Sequence, residues 1–181
     1  MEQITLDATD LRILDELQHN AAQSNQGLAA KVHVSAPTCL RRVKRLVDAG
    51  VVERQIALLS TDRLAPILGW GLTAIVEVTL DQQGAEQQAA FEARAGRDAA
   101  VQQCYRVSPG PDFVLVVFAR DMPAYLALAQ RLFTADANVR NVKAFFSLKR
   151  SKFEPNMPLN VPQNIPLNTP LNTPPRHANT A

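Results

Sequence analysis

The chain has 181 residues, 46% of them hydrophobic, and a formal net charge of +2. Those values exclude bulk disorder and leave room for one medium domain or two small ones, each with a usable core. Net charge this close to zero does not by itself announce nucleic-acid binding, which must rest on local clustering. The two cysteines, Cys39 and Cys104, lie far apart with no CxxC spacing, as expected of free thiols in a reducing compartment. The acidic N-terminus carries no secretory pattern and no stretch approaches a membrane span. A soluble cytoplasmic protein without membrane contact is expected.

The first predicted helix opens at Leu6-Asp7-Ala8, with Asp7 as N-cap and Asp10 in the first turn. Leu11, Leu14, Leu17 and Ala21 form its stripe, Ile13 lies at the edge, and the helix stops near Asn20. Ser24 caps a short second helix carrying Leu28, Ala29 and Val32, with Gly27 where a capping-box acid would sit. Ser35 caps the third helix, Pro37 suits its first turn, and Gly50 stands where a left-handed C-cap belongs. Leu40, Val43, Leu46 and Val47 make an apolar stripe. Thr38, Arg41 and Arg45 fall opposite, flanked by Arg42 and Lys44. Arg41 and Arg45 are like charges four apart, with no acid beside them along the helix until Asp48. A polyanion across that face would relieve the repulsion, which makes this the recognition helix of a helix-turn-helix. The plainer alternative is a core helix with a solvated basic side.

Val51–Ser60 reads as a strand or an extended connector. Ala65-Pro66 breaks regularity, and Gly69-Trp70-Gly71 permits a turn, with Trp70 as a packing anchor for the connector. Strands are predicted at Leu72–Leu80, Val101–Val107, Phe113–Ala119 and Val139–Leu148, and helices at Gln83–Ala95 and Met122–Phe133. Ser108-Pro109-Gly110-Pro111 is a strong turn. The order βαββαβ is the ferredoxin-like arrangement, an antiparallel sheet with both helices on one face. The bare sheet face calls for a second copy, so at least a homodimer is expected. From Glu154, prolines and asparagines each recur every fourth residue in PLNT-like units, a low-complexity tail expected to be disordered or loosely extended. The fold class is therefore α+β. Residues 1–52 form a winged or simple helix-turn-helix, 53–70 a linker, 71–153 the ferredoxin-like domain, and 154–181 the tail.

The runs LDATDLRILDELQHNA at Leu6–Ala21 and LAAKVHVSAPTCLRRVKRLVDAGVV at Leu28–Val52 resemble the Lrp/AsnC family of transcriptional regulators. VQQCYRVS at Val101–Ser108 followed by DFVLVVFARD extends the likeness through about Lys152. The resemblance implies an N-terminal DNA-binding domain and a C-terminal domain, called RAM for regulation of amino-acid metabolism. It also implies dimers assembling into octamers or similar rings, and a small effector, typically an amino acid, bound between dimers. Two positions depart from the family pattern. Ala22 stands where an Arg is usual before the second helix. Pro109 replaces the Gly of the effector turn, which removes a donor and fixes φ.

On this reading Thr38 and Arg41 face base edges, Pro37 shapes the helix entry beside Ser35, and Arg42, Lys44 and Arg45 take phosphates. Paired recognition helices would read an imperfect palindrome in double-stranded DNA. Ser108, Gly110 and Asp112 line the effector turn by resemblance, where Asp112 either pairs with an α-ammonium group or caps the turn. No catalytic constellation, metal-ligand spacing or cofactor motif occurs, so no enzyme activity, metal or cofactor is expected. Two other functions stay open: a nucleoid-architectural protein that wraps DNA, and an allosteric module of an amino-acid-metabolism enzyme.

Overall fold

The computed structural model describes residues 4–69 and 71–159. Trp70, expected to anchor the connector, lies outside them, as do the repeats of the tail from residue 160 onward. The described residues fall into two compact units. One runs to Ala57 and includes the segment from Glu154; the other is Leu58–Phe153.

The first unit holds three helices, α1 (Ala8–His19), α2 (Asn25–Lys31) and α3 (Ala36–Asp48). Each begins where the sequence supplies a cap: Asp7 accepts from the Asp10 N–H, Ser24 from Gly27 and Ser35 from Thr38. Asp7 and Asp10 bond reciprocally, closing a capping box. Past the end of α3, Gly50 takes the left-handed backbone with φ 72°, which any L side chain would occupy only under strain. His33, in the turn between α2 and α3, accepts that strain with φ 57°.

Ile13, Leu28, Ala29, Val32, Cys39 and Leu46 form the core of this unit. Two expectations about its apolar faces are corrected. On α1, Ile13 at the supposed edge is fully buried, while Leu14 and Leu17 are only partly covered. On α3, Leu40 and Val47 stay 60% and 45% exposed. The apolar arc of α3 is wider than two short neighbours cover, so Ala36, Cys39, Val43 and Leu46 take the inner line and the shoulder is left bare.

Residues 51–60 form neither helix nor strand, so of the two forms expected here the connector is found. They lead to α4 (Thr61–Leu68), where a break at Pro66 was expected. Ser60 caps this helix and Pro66 faces solvent. In a two-turn helix the ring removes a single backbone bond, which the rest of the element tolerates.

The second unit continues with β1 (Leu72–Leu80), α5 (Ala85–Ala95), β2 (Val101–Arg106), β3 (Phe113–Ala119), α6 (Met122–Ala129) and β4 (Val139–Phe146). The strands form one antiparallel sheet in the order β2-β3-β1-β4, the ferredoxin-like topology expected. A period of two divides the faces. Ala74, Val76, Val78 and Leu80 of β1 and Phe113, Leu115 and Val117 of β3 point inward, against Phe91 and Ala95 of α5 and Tyr125 and Leu128 of α6. After Ala129 the helix widens into a π turn at Gln130–Thr134, which buries the consecutive Leu132 and Phe133. On the outer face, register aligns Phe145, Ile75 and Val116 across three strands. Ile75, Phe145 and Tyr105 are exposed there.

Candidate nucleic-acid interface

The third helix presents its polar side as a ridge. Pro37, Arg41, Lys44 and Asp48 recur at alternating four- and three-residue steps, and all are exposed. Arg41 has no charged partner among the described residues. Lys44 Nζ lies 2.9 Å from Asp48 Oδ2, an exposed pair one turn apart that competes little with a stronger anion. Ser35 and Thr38 sit at the N-terminal end, where the Ser35 hydroxyl donates to Thr38 Oγ1 at 2.8 Å. Their side chains thus shape the first turn together.

Arg42 and Arg45 are not the free cations that the helical wheel implies. Arg42 is held between two carboxylates of α1: Nη1 donates to Asp7 Oδ2 at 2.7 Å and to Asp10 Oδ1 at 2.8 Å. Its side chain is only 16% exposed. Arg45 Nη2 donates to Asp10 Oδ2 at 2.5 Å and Nη1 to the Thr5 carbonyl at 3.3 Å. The acids that answer these arginines come not from α3 itself but from the start of α1, packed beside it. A signal was present in the sequence. Asp7 and Asp10 share one end of a helix that must pack on α3, and Arg42 and Arg45 repeat the same three-residue step.

Burial pushes the Asp10 carboxyl up, but bonds from Arg45, the Asp7 N–H and Arg42 outweigh it and hold the group below its ordinary value. For Arg42, burial works against the charge and the bonds to Asp10 and Asp7 more than restore it. A third tie lies at the other side of α3, where Asn25 Nδ2 donates to the Ala36 carbonyl at 2.8 Å. The third helix is therefore gripped by α1 and α2, with its ridge left outward.

In the second unit the β2–β3 turn places Ser108, Pro109 and Gly110 in solvent, with Gly110 at φ 123°. Asp112 differs from them, being buried. Its Oδ2 accepts from the Leu80 N–H at 2.7 Å and from Gln83 Nε2 at 3.3 Å, so it ties the turn to the end of β1. Among the described residues no three His, Cys, Asp or Glu side chains gather as a metal site, and no helix is long and apolar enough to cross a membrane.

A three-helix unit with an exposed, partly cationic third helix, joined to a ferredoxin-like unit, has the make-up of a ligand-responsive DNA-binding protein. A winged helix-turn-helix DNA-binding domain matches residues 6–53, and the Lrp/AsnC ligand binding domain matches residues 73–157. A leucine-responsive regulatory protein of Rhizobium meliloti is 36% identical over 149 residues, covering 82% of this chain and 93% of that protein. The Bkd operon transcriptional regulator of Pseudomonas aeruginosa is 31% identical over 154 residues, covering 85% of this chain and 98% of the relative. A transcriptional regulator of Neisseria meningitidis, solved as a complex with L-Met, has a TM-score of 0.75 at 32% identity, over 86% of this chain and 98% of that one. The chain belongs to the Lrp/AsnC family of transcriptional regulators. It is a DNA-binding regulator with a domain for a small metabolite.

Proposed function

We propose that this regulator reads an imperfect palindrome as a homodimer or a larger ring of dimers, and that its effector is a free amino acid. It acts in the cytoplasm by binding alone, without catalysis. The observation that carries the reading is the ridge on α3, where Arg41 stands exposed beside Pro37 and Lys44. In this reading Arg41 meets a guanine edge, Thr38 and Pro37 border the neighbouring base, and Lys44 exchanges Asp48 for a phosphate. Ser35 fixes the entry of the helix into the groove.

The bare outer face of the sheet, with Ile75, Phe145 and Tyr105 exposed, supports pairing of two copies. Two-fold pairing sets the recognition helices about 34 Å apart, one turn of duplex. The amino-acid effector is supported by two similar proteins, one named leucine-responsive and one solved with L-Met. The Ser108 hydroxyl and the Gly110 N–H would contact it, while Asp112 braces the turn from behind. Regulation follows by linkage, since a ligand favouring one assembly shifts the population that grips DNA.

Selection of bound fragments from random duplex DNA, with and without a mixture of amino acids, tests the proposal. A two-fold consensus whose enrichment changes with the mixture is the expected result. Uniform recovery of all sequences, or an enrichment indifferent to the mixture, rejects the operator or the effector respectively.

A further inference from the structure

The ion cluster between α1 and α3 goes beyond packing. Asp10 is the third residue of α1, and its one carboxylate accepts three bonds, one from a backbone N–H and two from guanidinium groups. It closes the capping box with the Asp7 N–H at 3.1 Å, takes Arg42 on Oδ1 and takes Arg45 on Oδ2. Apolar contacts from Cys39 and Leu46 hold α3 against its neighbours without direction, and the Asn25 bond to the Ala36 carbonyl pins only its first turn. Charged hydrogen bonds are directional. Two arginines one turn apart, bonded to opposite oxygens of one nearly inaccessible carboxylate, fix how far α3 is rotated and hence where Arg41 and Lys44 point.

We infer that Asp10 is a positioning residue for DNA recognition: it sets the rotation of α3 through Arg42 and Arg45, and it withholds Arg45 from the phosphate backbone. The inference rests on the reading that the α3 ridge meets DNA. It gives Arg45 a role opposite to that of a phosphate ligand. A merely structural Asp10 would, when altered, lower the folded fraction and reduce binding to every duplex alike.

The test uses the full chain, a duplex enriched by the selection above and a scrambled duplex of equal length. Affinity is measured across a salt series at a temperature where circular dichroism shows each variant folded. For Asp10→Asn the ratio of selected to scrambled affinity should fall by about tenfold, the scale of one misplaced base contact. Binding to the scrambled duplex should tighten, with a salt dependence steeper by about one ion as Arg45 joins a phosphate. Arg45→Ala alone should leave the salt dependence as it is, and the double variant should lose what Asp10→Asn gained. An unchanged ratio and slope in Asp10→Asn would overturn the inference. So would a slope reduced by about one in Arg45→Ala alone, because Arg45 would then be bound to phosphate in the native protein. Failure of the unaltered protein to bind either duplex would instead remove the DNA reading on which the inference stands.

Discussion

Arg42 on α3 and Asp10 on α1 stand 32 residues apart in sequence and 2.8 Å apart in space. Neither is free to leave, since Asp10 is 1% exposed and Arg42 has a second carboxylate in Asp7. Removing the arginine would leave Asp10 Oδ1 unmet and Arg45 as the carboxylate's one remaining arginine. Arg42→Ala should cost about 1–3 kcal/mol of stability, read by urea unfolding of the helical unit.

Acid should weaken the same tie. The folded Asp10 carboxyl lies below its ordinary value, so its contribution is complete above the unfolded value, about 3.9, and is lost as pH falls through the lower folded value. The urea midpoint of the native protein should therefore drop between about pH 5 and pH 3. Asp10→Asn, less stable at neutral pH, should show a smaller drop. Parallel curves for the two proteins would mean that other carboxylates govern acid unfolding.

The two exposed cations of the ridge should separate by their effects. Arg41→Ala should cost about 1–3 kcal/mol on the selected duplex and relax preference at one base position. Lys44→Ala should weaken all duplexes about equally and lower the salt slope by about one. Competition binding against single-base variants of the selected sequence distinguishes the two patterns.

On the outer sheet face, Ile75 is paired in register with Phe145 on one side and Val116 on the other. A charge placed in that row would be desolvated by a second copy but would cost the lone subunit little, because Ile75 is already 44% exposed. Ile75→Lys should convert the protein to a smaller species in sedimentation without lowering its helix and strand content. An unchanged sedimentation coefficient would place the contact between copies elsewhere.

Asp112→Ala should leave the Leu80 N–H without its 2.7 Å acceptor inside the sheet unit. A loss of about 1–3 kcal/mol is expected from that orphaned donor. Asp112→Asn, which keeps an acceptor oxygen, should recover much of it. Unfolding of the two variants side by side measures the difference.

Gln18 clasps the segment after β4 from α1. Its Nε2 donates to the Met157 carbonyl at 2.8 Å, and the Met157 N–H donates to its Oε1 at 2.9 Å. Residues 154–159, which begin the tail expected to be disordered, are thus tied down at that point.

Much of the fold was legible because its punctuation is local. Asp7, Ser24 and Ser35 mark helix starts by side chains that reach only three residues ahead, and Gly50 marks a stop by its backbone alone. The strands β1 and β3 coincide with the runs LTAIVEVTL and FVLVVFA that mark them in the sequence. What escaped was set by neighbours distant in sequence. Nothing near Arg42 says that Asp10 will neutralise it. Nothing in Leu40 or Val47 says that the inner line of α3 is already filled by Cys39 and Leu46. Pro66 reads as a breaker because its cost is local, while the tolerance of a short helix turned to solvent is not. Spacing grouped Arg41 with Thr38 and Arg45 on one face, whereas the exposed line runs Pro37, Arg41, Lys44 and Asp48, because Arg45 turns back to Asp10.

The separation of the α3 ridge from the α3 core has a consequence for ancestry. Pro37, Arg41 and Lys44 lie exposed, while Cys39 and Leu46 lie in the core of the first unit and Arg42 is bound to Asp7 and Asp10. On the proposed reading of the ridge, mutation can rewrite the outer set, and with it the DNA sequence bound, at little penalty in folding. Copies of the gene are free to diverge in target while sharing one scaffold.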